Sequence, residues 1–330
     1  MTALAPTLQA FFTDWLINQR RVSQHTVLAY RDTFRLLLGF IHDRTGKAPS
    51  DLGIDDLDAM TITAFLDHLE HHRHNTVRTR NARLAAVHSL FGFAALRHPE
   101  HAALIAHVMA IPAKRYERGL VSYLSPNEVD ALLTGIDRTR WEGRRDHALL
   151  VLAVQTGLRV SELTALTIND VHLGAGAHVR CLGKGRKQRC TPLTSQVGDI
   201  IRTWLQERGG QPTEPLFPTR TGRALSVDAV ALLVTKHAHT AAQTCPALRG
   251  RRVSPHVLRH TAAMRLLHAG VDTSTIALWL GHEQAETTQI YLHADQTLKE
   301  RALARTTPID IALGRYRPSD KLLAFLEQLN

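Results

Sequence analysis

Apolar residues recur at helical spacing along most of this chain, and one short segment breaks the pattern. Leu8, Phe11, Phe12, Trp15 and Leu16 share a helix face, because side chains three and four apart lie on one side. Ser23 is placed to cap a second helix carrying Val27, Tyr30, Phe34, Leu37 and Leu38 on one side. Asp56 to Leu69 and Thr76 to Leu96 predict two more. The exception is His178 to Leu193, where H-V-R-C-L and R-C-T-P-L read as short strands around G-K-G-R-K-Q. Glycines and polar residues between two strand-like pieces signal a hairpin turn. The expected fold is therefore mainly α, with a small β-hairpin or sheet late in the chain.

A break in periodicity divides the sequence. V-M-A-I-P-A-K-R-Y-E-R-G-L-V-S-Y, beginning at Val108, holds a proline, a glycine and several charges but no sustained period. Ser125, Pro126 and Glu128 then give the cap, first-turn proline and acidic first turn of a new helix. This predicts an all-helical domain over 1–110, a linker over 111–123 and a second, α+β domain over 124–310. A tail over 311–330 carries Leu322, Phe325, Leu326 and Leu329, an apolar stripe suited to docking in cis or on a neighbour.

Charge indicates the partner. Lys and Arg number 40 against 30 Asp and Glu, a net charge of +10 that favours a polyanion such as nucleic acid. Residues 1–110 carry 11 basic and 10 acidic side chains, so nearly all the surplus lies beyond them. His68, His71, His72 and His74 form the densest of several histidine clusters, but no Cys or acidic partner completes a ligand set at useful spacing, and the same holds for His237 and His239. No metal and no cofactor is expected. Cys181 and Cys190 are candidates to face each other across the hairpin as thiols; Cys245 stands apart. Met1 to Gln9 lacks a signal-peptide pattern, and no apolar run approaches the ~18 residues of a membrane span. A cytoplasmic, nucleoid-associated protein without a membrane partner is expected.

Four separated pieces carry unusual polar groups. In T-G-L-R-V-S-E-L, Arg159 follows an apolar run and Glu162 lies three residues on; taken alone this is a structural ion pair or part of a site. The hairpin carries Lys184, Arg186, Lys187 and Arg189, a solvated turn or a phosphate grip. In S-P-H-V-L-R-H-T, Ser254 and Pro255 start a helix that sets His256 and Arg259 on one face near its N-terminus, an end that favours anions. Finally, Asp272 or Thr273 starts a helix that Gly281 ends; His282 follows directly, and Tyr291 comes nine positions later.

Together and in this order, Arg159, Lys184, His256, Arg259, His282 and Tyr291 resemble the signature of the tyrosine recombinase, or phage integrase, family. The contexts G-L-R-x-S-E-L, G-K-G, H-x-L-R-H-T and L-G-H are intact, and the similarity spans roughly residues 7–305. The resemblance implies two domains, a SAM-like helical core-binding domain and an α+β catalytic domain. It implies a site-specific recombinase that cuts and rejoins DNA through a 3′-phosphotyrosine. Tyr291 is then the nucleophile, Arg159 and Arg259 clamp the phosphate, and His256 accepts a proton. Lys184 protonates the leaving 5′ oxygen, His282 holds a phosphate oxygen, and Glu162 orients the cluster from behind.

The implied partner is double-stranded DNA with inverted half-sites, bound by a homotetramer, or by the chain with related recombinases, across two sites. Arg186 and Lys187 are candidate DNA contacts. So are Arg78, Arg80 and Arg83, with a solvent-facing basic helix as the competing reading. Rivals are a silent DNA-binding protein of this fold, a type IB topoisomerase and an unrelated basic binder. The helical domain begins almost at the N-terminus, which leaves no room for a lambda-type arm-binding domain. Mobile-element recombination is favoured over Xer-like chromosome or plasmid dimer resolution by the tail and the T-R-N-A-R-L helix.

Overall fold

The computed structural model describes residues 2–116, 121–183, 188–281 and Tyr291. The chain divides into two compact units, Met1–Arg118 and Gly119–Asn330.

The first unit is helical. Helix α1 (Leu4–Ala10) runs on as a wider π-helical stretch, Phe11–Gln19, followed by α2 (Gln24–Thr45), α3 (Ala59–His71), α4 (Val77–Ala95) and α5 (Ala102–Met109). Side-chain caps set the starts: Ser23, Asp58 and Thr76 each accept a backbone N–H from the first turn of α2, α3 and α4. Gly46, left-handed at φ 72°, ends α2. Phe11, Leu37, Phe65, Leu66 and Val87 are fully buried in the core. His68, a residue of the dense histidine run, packs against Phe40 and stacks on His72.

In the second unit the described elements are α6 (Pro126–Thr134), α7 (Trp141–Thr156), α8 (Val160–Ala165), β1 (Val171–His172), β2 (His178–Leu182) and β3 (Gln188–Pro192). They continue with α9 (Ser195–Arg208), α10 (Val227–Ala241), α11 (Pro255–His268) and α12 (Thr273–Leu280). Ser125 caps α6 as expected, and the structure adds that the Glu128 side chain accepts the Ser125 backbone N–H in return, closing a capping box. Ser254 and Asp272 cap α11 and α12. The sheet is antiparallel in the order β1-β2-β3, and β1, only two residues long, had no legible alternation.

The register of β2 and β3 corrects one expectation. Cys181 lies opposite Arg189, and Cys190 opposite Arg180. Successive side chains alternate between the faces of a strand, so the two cysteines sit on opposite faces and do not meet. Cys181 is buried and Cys190 exposed, both as free thiols. His237 is likewise accounted for: its Nε2 lies 2.9 Å from Asp146, whose other oxygen is gripped by Arg145, making a buried brace between α7 and α10. No helix among the described residues is long and apolar enough to cross a membrane.

Candidate active site

Two glycine turns bring the polar residues of the second unit together. Gly157 ends α7 in the left-handed region, at φ 63°. A Cβ there would lie 2.7 Å from Leu280 and 3.0 Å from Ala262, so α11 and α12 approach closely only against a glycine. The chain then enters α8 through Arg159, its N-cap residue. Gly281, at φ 65°, ends α12 in the same way.

The last carbonyls of a helix have no partner within it and carry the negative end of its dipole. At the end of α12 two successive carbonyls each take an arginine. Arg259 Nη2 donates to Leu280 O at 2.7 Å, and Arg159 Nη2 donates to Gly281 O at 2.9 Å. Arg259 Nη1 also donates to Gly157 O at 2.6 Å. Arg259 is 4% exposed, and its burial together with the charge of Arg159 pushes its pKa down to about 10. It stays cationic at neutral pH. A guanidinium has five N–H donors, so both forks keep donors beyond these contacts.

Glu162 sits behind Arg159. Burial by itself raises its pKa, but hydrogen bonds from Arg189 and from the Arg159 backbone outweigh that and hold the carboxylate below its ordinary range. Two guanidiniums thus bond one carboxylate, and the charge of a third, Arg259, also feels it. A partly buried surplus of positive charge is built to receive an anion.

Tyr291 lies at this cluster, 1% exposed. Its pKa is pushed up to about 12 by burial, against the pull of Arg259 and Arg159. Its hydroxyl is 3.0 Å from His260 Nδ1, and the His260 ring meets His256 edge-on at 4.1 Å. Arg159, Glu162, Arg259, His256 and Tyr291 are therefore gathered in one region. Lys184, Arg186, Lys187, His282 and the tail stripe lie outside the described residues.

The structure adds two residues. Arg189, read from sequence as part of an exposed hairpin tip, is instead turned inward, its side chain 12% exposed and bonded to both oxygens of Glu162. His260 contacts the tyrosine; its signal was its place four residues after His256, on the same helix face.

In the first unit the candidate DNA contacts separate. Arg78 is exposed. Arg83 is half-buried and donates to Ala29 O and the Thr33 hydroxyl. Arg80 departs from expectation: it is 4% exposed and donates to Pro112 O and Asn81, pinning the start of the expected linker to α4.

Comparison with known proteins agrees with this arrangement. The profile of the Phage integrase family matches residues 122–297, and that of its N-terminal SAM-like domain matches residues 9–98. A Sinorhizobium fredii protein described as an integrase/recombinase, y4rC, is 53% identical over 99% of this chain and 98% of its own length. Tyrosine recombinase XerC of Pelobacter propionicus is 33% identical over 84% of this chain and 87% of its own. The crystal structure of XerH recombinase bound to palindromic difH substrate in a post-cleavage complex shares the fold. Its TM-score is 0.67 at 22% identity, covering 91% of this chain and 94% of that one. The chain belongs to the phage integrase family of tyrosine recombinases. It is a site-specific DNA recombinase.

Proposed function

We propose that the protein cleaves one strand of duplex DNA by attack of Tyr291 Oη on the scissile phosphorus. The new O–P bond makes a 3′-phosphotyrosine as the P–O5′ bond breaks. The phenolic proton passes to His256, and Lys184 supplies a proton to the departing 5′ oxygen. Arg159 and Arg259 hold the non-bridging oxygens with forked hydrogen bonds, which a lysine cannot reproduce. His282 donates to a phosphate oxygen. Because the phosphotyrosine retains the energy of the broken bond, a 5′ hydroxyl of a partner duplex reverses the step without ATP.

The observation that carries this reading is the pair of arginines fixed by the successive carbonyls of Leu280 and Gly281, with Tyr291 beside them. Donors held in place before reaction need no reorganisation as charge develops, which is where such groups stabilise a transition state most. Four copies act on two DNA sites with inverted half-sites. The biological setting is a mobile element, supported by 53% identity to an integrase/recombinase against 33% to XerC. Chromosome or plasmid dimer resolution is the second reading, supported by the XerC similarity over 84% of the chain.

The test is covalent trapping. A DNA site is recovered by selecting randomised duplexes with the parent protein and rebuilt as a nicked suicide duplex. The parent forms a band that survives a denaturing gel, and Tyr291→Phe binds the same duplex without forming it. A persisting band in the variant sinks the assignment.

A further inference from the structure

Glu162 is 5% exposed and its four acceptor positions are filled. Oε1 takes Nη1 of Arg159 and Nη1 of Arg189, both at 2.9 Å. Oε2 takes the Arg159 backbone N–H and Nη2 of Arg189, both at 2.7 Å. The two arginines are not equivalent. Arg189 presents two guanidinium nitrogens to the carboxylate, in the bidentate geometry that is strongest for such a pair. Arg159 presents one and turns its other terminal nitrogen to Gly281 O.

We propose that Arg189 is a positioning residue for DNA cleavage: by engaging both oxygens of Glu162 it balances the carboxylate, so that the charge of Arg159 remains for the scissile phosphate. This rests on the functional reading above. Without Arg189, Glu162 would be a buried carboxylate facing Arg159 as its nearest cation. It would draw the Arg159 fork into a full ion pair and compete with the phosphate for it. With Arg189 in place, carboxylate and guanidinium cancel, and Arg159 orients on Glu162 without being neutralised by it.

The fold supports this placement. Arg189 lies on β3 opposite the buried Cys181, so the strand register turns it inward. A Cβ on Gly281 would sit 2.9 Å from Arg189 Nη1, so the glycine that ends α12 also makes room for this guanidinium. One side chain from the sheet thereby touches both anchors of Arg159: the carboxylate and the turn whose carbonyl it uses. A lysine would keep a charge but lose the fork.

The test compares Arg189→Met, Arg189→Lys, Glu162→Gln and the Arg189→Met/Glu162→Gln double variant on the suicide duplex. Protein is saturating and the reaction is single-turnover. The first-order rate constant reports the site, whereas the amplitude reports the folded fraction, so lost stability alone moves only the second. Arg189→Met is expected to slow covalent attachment on the order of 100-fold, the size of effect seen when one fixed donor to the transition state is lost. Half-site binding should stay within about threefold, as expected for an interaction that acts on the transition state. Removing the uncompensated acid should reverse much of the defect, so the double variant should be faster than Arg189→Met by at least ~10-fold and close to Glu162→Gln. Arg189→Lys should fall between. If Arg189→Met does not fold, the double variant against Glu162→Gln carries the comparison; a further large loss there overturns charge balancing. So does a double variant no faster than Arg189→Met, or an Arg189→Met rate constant equal to the parent's. A covalent band that persists in Tyr291→Phe overturns the functional reading itself, and is distinguished by that control.

Discussion

Arg80 in the first unit and Arg259 in the second are equally buried, each 4% exposed, and both donate to backbone carbonyls. They do different things. Arg80 donates to the Pro112 carbonyl and to Asn81, neutral groups that fasten the segment after α5 to α4. Arg259 is fastened in the same way by Gly157 O and Leu280 O, but stands among further charges: Arg159, Glu162 and Arg189. Burial of a guanidinium therefore does not define a site. What separates the two regions is convergence: in the second unit several cations are anchored by their edges, and their charge exceeds that of the nearby acid.

The comparison breaks most visibly if the two arginines are replaced alike. Arg259→Met should lower the rate of covalent attachment by about 100-fold or more, since a fixed donor to the transition state is removed. Its effect on half-site binding should be much smaller. Arg80→Met should leave the cleavage rate constant unchanged and lower stability by about 1 kcal/mol, because the hydrogen bond from the buried guanidinium to the Pro112 carbonyl is lost. Denaturant unfolding and single-turnover cleavage of both variants decide the matter. A catalytic defect in Arg80→Met with parental stability would erase the distinction.

A second test concerns the tyrosine. Burial raises the Tyr291 pKa to about 12 despite two nearby arginines, so burial outweighs their charge in this structure. A phenol whose folded pKa is raised favours the folded state below the unfolded value of about 10, and that contribution is lost as pH rises through about 12. The tyrosinate absorbance of the parent minus that of Tyr291→Phe should therefore titrate near the upper value. The Phe variant should lose less stability between the two values. A difference curve centred at the ordinary phenol value would mean that arginine charge, not burial, dominates at Tyr291.

Much of the site was legible because helix signals are local. Ser254 and Pro255 located the start of α11, and Asp272 and Gly281 bounded α12, which placed His256, Arg259 and the turn after Leu280. Arg189 was misread because its inward turn depends on pairing: opposite Cys181 it faces inward, and a register shifted by one residue would have turned it to solvent. The hairpin signal shows that two strands pair, not which residues oppose. Arg80 was misread differently. Its apolar continuation Leu84, Val87 and Phe91 lies on the buried face of α4, and the spacing was present in the sequence. Arg78, Arg80 and Arg83 form one basic run in the sequence but point different ways on the helix. The Arg159–Glu162 pair was legible from its three-residue spacing, but the partnership of Glu162 with Arg189 was not, since it joins α8 to β3 across 27 residues.

The smallest expected effect bears on what remains of that basic run. Arg78 is exposed two residues before Arg80, at the start of α4, where Thr76 caps the helix. A solvent-facing arginine that meets a phosphate adds affinity by releasing condensed counterions, independent of base sequence. Arg78→Ala should therefore weaken half-site binding evenly across target variants and reduce the salt slope of log affinity by about 1. The cleavage rate constant at saturating protein should not move. Arg80→Met should leave the salt slope intact, because its guanidinium is held inside the unit by Pro112 O. Arg83, half-buried against Ala29 O and Thr33, should fall between the two. Gel shifts at several salt concentrations measure all three. An unchanged slope in Arg78→Ala would make that residue a solvated surface charge. Equal slope changes at Arg78 and Arg80 would mean that DNA binding pulls Arg80 out of its carbonyl contacts, and that the first unit repacks when it binds.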